Sequence, residues 1–232
     1  MNTRFNLQLV IGNKNYSSWS MRPWVLMRHF GLTFEEIELR LEFGADSQFQ
    51  RELSRYTPAG RVPVLRLDGH AVWDTLAIVE ALADALPALS IWPRDARDRA
   101  RARSLCAEMH AGFSALRSHC PMNIEAALPE VGARVWAEQA AVRQNVARIE
   151  QMWTEALRDS GGPLLFGPFS AVDAYFAPVC MRINTYALPV SVTVRDYIDR
   201  VCAMPGVKRW IDDALAESDY LDFEEPHRKS RE

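Results

Sequence analysis

The stretch Val62-Pro63-Val64-Leu65-Arg66-Leu67-Asp68-Gly69-His70-Ala71-Val72-Trp73-Asp74-Thr75 determines which fold the chain can adopt. It begins with a strand that carries a proline near its start, and Asp68-Gly69 is a typical two-residue hairpin turn. Ala71 to Trp73 is the returning strand. Asp74-Thr75 can begin a helix, because both side chains can accept hydrogen bonds from the first free amides. The stretch therefore predicts a β-β-α unit.

Four further elements are predicted before this unit. A strand, a helix, a second strand and a short helix fall within residues 5–11, 19–31, 34–41 and 44–56. Apolar residues alternate in the two strands and recur at helical spacing in the long helix. Gly31 is a natural stop for that helix. Residues 1–86 are thus predicted to form an α/β domain with the order β-α-β-α-β-β-α.

The second half of the chain predicts helices only. A linker covers residues 87–93, and helical periodicity covers residues 94–119, 129–159, 170–186 and 194–218. Ser170-Ala171-Val172-Asp173 fits a capping box at the start of the third of these helices. The charged end, residues 224–232, is expected to fray. Residues 93–232 are therefore predicted to form an all-helical domain.

Composition narrows the class of protein. The 232 residues carry a formal net charge of −3, with 48% hydrophobic and 25% charged residues. This balance is typical of a globular protein with a buried core, and it gives no sign of a nucleic acid or an anionic membrane as partner. No apolar run of about 18 residues predicts a membrane-spanning helix. Residues 1–9 also lack the apolar core of a signal peptide.

Cysteine and histidine spacing bears on compartment and metal binding. The four cysteines are widely spaced, no Cys-x-x-Cys pair occurs, and the five histidines show no ligand spacing with cysteines or carboxylates. Such a pattern favours free thiols in a reducing cytoplasm over a disulfide framework or a zinc site. We therefore expect a cytoplasmic protein without a bound metal.

Over almost its whole length the chain resembles the glutathione S-transferase superfamily. Tyr16-Ser17-Ser18-Trp19-Ser20-Met21-Arg22 is similar to the serine-type active-site turn of the zeta class. Asp74-Thr75-Leu76-Ala77-Ile78-Val79-Glu80 is similar to the family's acidic-Ser-x-x-Ile motif. The resemblance implies a thioredoxin-like N-terminal domain that binds glutathione, followed by an all-helical C-terminal domain.

The serine turn has two interpretations. Ser17 and Ser18 precede a helix, so they could be capping residues and nothing more. By the resemblance, one of their hydroxyls donates a hydrogen bond to the glutathione sulfur, and the positive end of the helix adds to the stabilisation of the thiolate. The zeta-like alignment favours Ser17 as the catalytic donor, with Ser18 as the alternative. No cysteine lies in the turn, which argues against disulfide chemistry of the glutaredoxin type.

The resemblance assigns seven further residues to the glutathione site: Trp19, Arg40, Arg61, Val62, Pro63, Asp74 and Thr75. Val62-Pro63 resembles the family's cis-proline element, which pairs with the cysteinyl backbone; a trans proline on an edge strand is the alternative. The Asp74-Thr75 helix start would hold the γ-glutamyl group with its free amides, although a plain cap is also consistent with it.

The glycyl carboxylate of glutathione requires a cation. Arg40 and Arg61 are the two candidates, because both flank segments that border the site in relatives. The zeta class has a lysine-glutamine pair before its valine-proline, whereas this chain has Gly60-Arg61. The resemblance therefore does not choose between the two arginines.

An electrophile pocket is expected between the serine turn and the first long helix of the second domain. Its candidate lining residues are Tyr16, Trp19, Met109, His110, Phe113 and Met122. Aromatic and methionine residues at helical spacing are also typical of a hydrophobic core. An arginine associated with maleylacetoacetate isomerisation in zeta relatives aligns near Thr185, and Arg182 lies about one turn earlier.

The resemblance predicts a glutathione transferase that joins the glutathione thiolate to small hydrophobic electrophiles. A glutathione-dependent isomerase of the maleylacetoacetate type, or a peroxidase, is an alternative on the same fold. A non-catalytic glutathione-binding or partner-binding module is an alternative of another class. By analogy with the family, a homodimer is expected.

Overall fold

The computed structural model describes residues 5–231 and confirms the predicted fold class. The predictions made for residues 1–4 and 232 lie outside this range. The strands β1 to β4 are Leu7–Gly12, Glu35–Leu39, Val64–Leu67 and His70–Trp73. The helices α1 to α3 are Ser18–His29, Gln48–Leu53 and Thr75–Ala85. Their order is the predicted β-α-β-α-β-β-α.

Strand β1 lies inside a four-stranded sheet of order β2-β1-β3-β4. It pairs parallel with β2 and antiparallel with β3, so that Val10 lies opposite Ile37 and Val64. Successive β1 residues face opposite sides of the sheet: Leu9 and Ile11 join the large hydrophobic core, and Val10 joins a smaller cluster with α2. Because both faces are covered, Leu9, Val10 and Ile11 form the continuous apolar run of a buried strand.

Helix α1 is the element that positions the candidate site. Its residues from Ser20 to Met27 are all buried, because the sheet packs on one side and the second half of the chain on the other. Trp24 packs edge-on against Trp210 with ring centroids 5.2 Å apart. One hydrophobic core therefore runs through both halves of the molecule, and it holds the N-terminus of α1 between them.

The second half consists of helices and their connecting loops, with an isolated β-bridge between Leu164 and Gly167. Its α-helices, α4 to α10, are Ala96–Ala111, Ser114–His119, Pro129–Glu138, Ala140–Ser160, Ala171–Thr185, Val192–Ala203 and Pro205–Glu217. A 3-10 turn, Asp222–Glu224, follows. Within residues 5–231, none of the helices has the length and apolar character needed to cross a bilayer.

Three of the four long helices predicted for this half are each divided in two. The first breaks at Phe113, whose backbone is left-handed with φ of 56°. The second breaks at Gln139, which has non-helical backbone angles. The fourth predicted helix, residues 194–218, breaks before Pro205. Proline disfavours a helical conformation at the preceding Met204, and it suits the first position of a new helix.

Helix α8 is the central helix of the second half, and almost all of its residues are buried. The predicted capping box between Ser170 and Asp173 is confirmed at its N-terminus. The Asp173 carboxylate also accepts hydrogen bonds from the Leu165 amide and the Tyr197 hydroxyl, at 3.2 and 3.1 Å. This buried carboxylate thus joins α8, α9 and the preceding loop.

The expectation of a frayed C-terminal end is wrong. Glu225 is only 4% exposed, and its carboxylate accepts hydrogen bonds of 2.7 Å from the Tyr16 hydroxyl and 2.8 Å from the Asn123 amide. Arg228 forms a salt bridge with the same carboxylate. The tail, residues 218–231, therefore returns to the loop between β1 and α1, where polar side chains bind its charged residues.

Candidate active-site cleft

A cleft of about 370 Å³ opens between the two halves at the N-terminus of α1. A hollow of about 430 Å³ adjoins it, and both are lined by Trp19, Arg61, Val62 and Arg117. Ser17 and Ser18 line the cleft, and Pro63, Asp74 and Thr75 line the adjoining hollow. The structure therefore brings together most of the residues that the sequence assigned to a glutathione site.

The two serines of the turn have different hydrogen-bond partners. Ser17 is the residue before α1, but its side chain makes no capping bond. Its hydroxyl donates instead to the Ser20 hydroxyl at 2.7 Å, which also accepts the Gly12 amide at 3.2 Å. The Ser18 hydroxyl accepts a bond of 3.2 Å from Arg182. The capping interpretation of Ser17 therefore does not describe its contacts.

Arg61 and Arg40 lie in different places. The Val62-Pro63 peptide bond is cis, as predicted, and Arg61 beside it lines both the cleft and the adjoining hollow. Arg40 lines neither; its guanidinium pairs with both carboxylate oxygens of Asp219 at 2.8 and 3.0 Å. The placement of Arg40 in the site does not agree with the structure, because β2 ends before the cleft and directs Arg40 to the tail.

A hydrogen-bonded network joins Asp74 and Thr75 to the helical half. Asp74 caps α3 by accepting the Leu76 amide at 3.0 Å and has a left-handed φ of 74°. Thr75 Oγ1 lies 2.6 Å from the Tyr175 hydroxyl, and His110 Nδ1 lies 3.1 Å from the same hydroxyl. His110 Nε2 lies 3.2 Å from an Asp74 oxygen. His110 therefore belongs with this helix start, although the sequence assigned it to the electrophile pocket.

The other predicted electrophile-pocket residues separate into two groups. Tyr16 and Met122 line the cleft. Met109 and Phe113 do not: both are buried in the hydrophobic core and line neither hollow. Their helical spacing therefore marks the core. The Tyr16 hydroxyl is bound to Glu225, and burial together with that carboxylate raises the Tyr16 pKa well above its ordinary range.

Three arginines lie beside the serine turn, two of them against the Trp19 ring. The Arg22 and Arg117 guanidinium carbons lie 4.0 and 5.6 Å from the centre of this ring, and Arg182 lies at Ser18. Among the described residues, none of the three has a carboxylate within salt-bridge distance, and each has one buried nitrogen without a partner. The result is a concentration of positive charge next to the cleft, which the Glu224 carboxylate offsets in part.

The sequence interpretation noted Arg182 but assigned no role to Arg22 or Arg117. The sequence carried a signal for Arg22 and Arg182, because a charged residue within a largely apolar helix indicates a buried functional group. The other residues of these two helices are largely apolar and buried. Gln50 is a further cleft residue missed by the sequence interpretation, and its amide donates to the Gly60 carbonyl at 3.0 Å. Arg117 and Gln50 carry no local signal, since each lies on a short polar helix.

Neither a metal cluster nor a disulfide contributes to this site. Between residues 5 and 231, no three histidine, cysteine, aspartate or glutamate side chains are arranged to hold a metal ion. The four cysteines are free, and burial raises the pKa of Cys120 to about 12. None of the four cysteines is among the residues that line the cleft or the adjoining hollow.

Comparisons with known proteins agree with this geometry. The model described as Glutathione S-transferase, N-terminal domain matches residues 16–85, and the model described as Glutathione S-transferase, C-terminal domain matches residues 122–213. Maleylacetoacetate isomerase of Rattus norvegicus is 26% identical over 176 residues, which are 75% of this chain and 78% of that protein.

Solved structures share the fold. A glutathione transferase homologue from Burkholderia, with bound glutathione, has a TM-score of 0.68 at 23% identity, over 92% of this chain and 100% of that chain. Maleylacetoacetate isomerase from Anaeromyxobacter dehalogenans has a TM-score of 0.65 at 20% identity, over 98% and 99%. Because the two family models together match more than half of its residues, the chain belongs to the glutathione S-transferase family.

Proposed function

We propose that this chain binds glutathione in the cleft and transfers its thiolate to a small hydrophobic electrophile. The observation that carries the proposal is that the serine turn, Val62 and the Asp74-Thr75 helix start border two adjoining hollows with shared lining residues. The Burkholderia structure that shares this fold holds glutathione. Apolar and aromatic side chains on the wall of the cleft suit a hydrophobic co-substrate: Tyr16, Trp19, Phe43, Phe49, Met122 and Phe223.

Each part of glutathione has a matching group in these two hollows. The free amides at the start of α3 and the Thr75 hydroxyl suit the γ-glutamyl carboxylate, and the Asp74 carboxylate suits the α-amino group. The Val62 backbone suits the cysteinyl residue as one rung of an added strand. Arg61 suits the glycyl carboxylate, because a guanidinium can bind both carboxylate oxygens.

The proposed chemistry depends on the thiolate. On binding, the glutathione thiol releases its proton to solvent; its sulfur then forms a bond to the electrophilic carbon, and the leaving group departs with the bonding electrons. A thiol of pKa about 8.5 is only about 3% ionised at pH 7, and lowering that pKa by about two units makes most of it thiolate. A hydroxyl of the serine turn and the N-terminus of α1 supply this stabilisation.

The direct test measures glutathione binding by calorimetry and conjugation to 1-chloro-2,4-dinitrobenzene. We expect Thr75→Val to weaken glutathione binding and a Ser17→Ala, Ser18→Ala double variant to lose most of the conjugation. Thr193→Val, at an exposed threonine of α9, is the matched control and should change neither. Absence of glutathione binding, or equal conjugation by the double variant, would contradict the proposal. Binding without turnover of any electrophile would favour a non-catalytic module.

Isomerisation of maleylacetoacetate is the second candidate function. The similarity to the Rattus norvegicus isomerase over three quarters of the chain favours it. Turnover of maleylacetone in the presence of glutathione tests this function. An isomerase rate far above the conjugation rate would make isomerisation the principal activity, and the same glutathione site would serve both reactions.

We also propose, by analogy with the family, that the protein is a homodimer in the cytoplasm. The four free cysteines agree with a reducing compartment. Sedimentation equilibrium measures the mass in solution, and a value near 26.4 kDa for the purified protein would show a monomer and contradict the dimer.

A further inference from the structure

The hydrogen-bond partners of the two serine hydroxyls indicate which serine can donate its proton to a bound thiolate. A hydroxyl has one proton to donate. Ser17 donates its proton to Ser20, whose oxygen also accepts the Gly12 amide. These bonds join the end of β1 to the first turn of α1. In this arrangement the Ser17 proton is not available to a molecule in the cleft.

The Ser18 hydroxyl is in the opposite situation. Its oxygen accepts a bond from Arg182 Nη2 at 3.2 Å, and within residues 5–231 its proton has no acceptor. Ser18 is 7% exposed and lines the cleft. A hydroxyl that accepts from a cation becomes a stronger donor, because hydrogen bonds in a chain polarise one another.

Arg182 is held in place by the helical half. It is 5% exposed, and its Nη1 donates to the Cys120 and Arg117 carbonyls. Burial lowers the pKa of Arg182 to about 10, which still leaves the side chain charged at neutral pH. Its Nε is buried without a partner, and no carboxylate in the described part of the chain lies within salt-bridge distance. Its charge is therefore available to an anion beside Ser18.

Other charged groups around the cleft offset this potential only in part. The ionisable side chains that line it are Tyr16, Glu42, Arg61, Arg117, Arg182 and Glu224. Glu42 is exposed. Burial raises the pKa of Glu224 and the charge of Arg182 opposes this rise, so Glu224 offsets part of the Arg182 charge. Arg22, behind Trp19, adds a further buried cation. The balance favours a bound anion.

We propose that Ser18 is the catalytic hydroxyl that donates to the glutathione thiolate, and that Arg182 is the positioning residue that orients and polarises it. Ser17 then has a structural role, although the zeta-like alignment places the donor there. The inference rests on the proposed function and names the residues that perform it. No covalent step is added: Ser18 keeps its proton, and the thiol proton leaves to solvent.

The test is the pKa of the thiol of bound glutathione, followed by thiolate absorbance near 240 nm against pH. We expect a value well below the free thiol in the wild type. Ser18→Ala should raise it by about one unit, which lowers conjugation at pH 6.5 about fivefold, because a rise from about 6.5 to about 7.5 cuts the ionised fraction from about one half to about one tenth. Ser17→Ala should shift it less. Arg182→Gln should raise it, and Arg182→Lys, which keeps the charge, should raise it by a smaller amount.

Arg143→Gln is the matched control, because Arg143 also donates to two carbonyls, those of Trp136 and Ala137, far from the cleft. It should leave the thiol pKa unchanged. A shift for Ser17→Ala as large as that for Ser18→Ala would overturn the role of Ser18. An unchanged pKa in folded Arg182→Gln would overturn that of Arg182. If the Arg182 variants do not fold, the two serine variants decide. A wild type that binds no glutathione, or leaves its thiol pKa unchanged, contradicts the proposed function itself.

Discussion

The Tyr16 hydroxyl donates a 2.7 Å hydrogen bond to the carboxylate of Glu225, which lies 209 positions later in the chain. Both side chains are buried, at 5% and 4% exposure. Tyr16 immediately precedes the serine turn, so this bond attaches the C-terminal tail to the loop that carries the candidate catalytic residues. The attachment can be tested separately from the chemistry.

Tyr16→Phe keeps the ring and removes the bond. We expect the free energy of unfolding to fall by about 1.5–3 kcal/mol, because the lost bond is one to a charged acceptor. The tail should also be cut more readily by trypsin, which can cleave after Lys229. Urea unfolding and limited proteolysis measure the two effects. Tyr56→Phe, after α2, is the control, and an equal loss of stability there would argue against a specific role for the bond.

Acid should weaken the same attachment. Burial alone would raise the pKa of Glu225, but hydrogen bonds from Arg228, Tyr16 and Asn123 outweigh it, so this pKa lies below its ordinary range. Ionised Glu225 therefore stabilises the fold above the unfolded-state pKa of about 4.3, and this stabilisation is lost as the pH falls through the folded-state value.

Glu225→Gln isolates this contribution. The difference in unfolding free energy between wild type and Glu225→Gln should be constant above about pH 5.5 and should shrink below about pH 4. Urea unfolding at a series of pH values measures it. A difference that does not depend on pH would show that the charge of Glu225 contributes nothing to the attachment.

Asp173→Asn should be costly for stability. The carboxylate accepts four buried hydrogen bonds, from the Leu165 and Ser170 amides and from the Ser170 and Tyr197 hydroxyls. An asparagine turns one acceptor oxygen into an NH₂ group that faces donors, so we expect a loss of about 2–4 kcal/mol. Asp95→Asn is the matched control, because Asp95 caps α4 at an exposed site where asparagine caps equally well. Similar losses in the two variants would contradict the role of burial.

Arg61 and Arg40 make a second matched pair. Arg61→Gln should weaken glutathione binding about tenfold, since a cation for the glycyl carboxylate is lost. Arg40→Gln should weaken it much less, because Arg40 pairs with Asp219 outside the cleft. Calorimetry with glutathione and with γ-glutamylcysteine, which lacks the glycine, measures the difference. Equal weakening of both ligands by Arg61→Gln would place Arg61 elsewhere in the site.

The features that the sequence predicted correctly depend on interactions between residues close together in the chain. Asp68 and Gly69 both have positive φ, as the hairpin turn between β3 and β4 requires. The capping box at Ser170 and Asp173 depends on residues three apart. The helix break at Phe113 was not predicted. Phenylalanine rarely adopts a left-handed backbone conformation, so its presence in the sequence does not signal a break. There the surrounding packing outweighed the local pattern.

The amino-acid sequence by itself determined the order of the elements, the family, and the three segments that border the cleft. The elements follow from periodicity, turn residues and caps, whose interactions span a few residues. The family and the cleft segments follow from the resemblance of short motifs, such as Tyr16 to Arg22 and Asp74 to Glu80, to those of known proteins. The tertiary structure alone decided which side chains face the cleft, because the partners are distant in sequence: Arg182 reaches Ser18 across 164 positions, and Arg40 reaches Asp219 across 179. These distant partners decide that the Ser18 hydroxyl, and not that of Ser17, has a proton without an acceptor. They also decide that Arg40, unlike Arg182, is paired with a carboxylate.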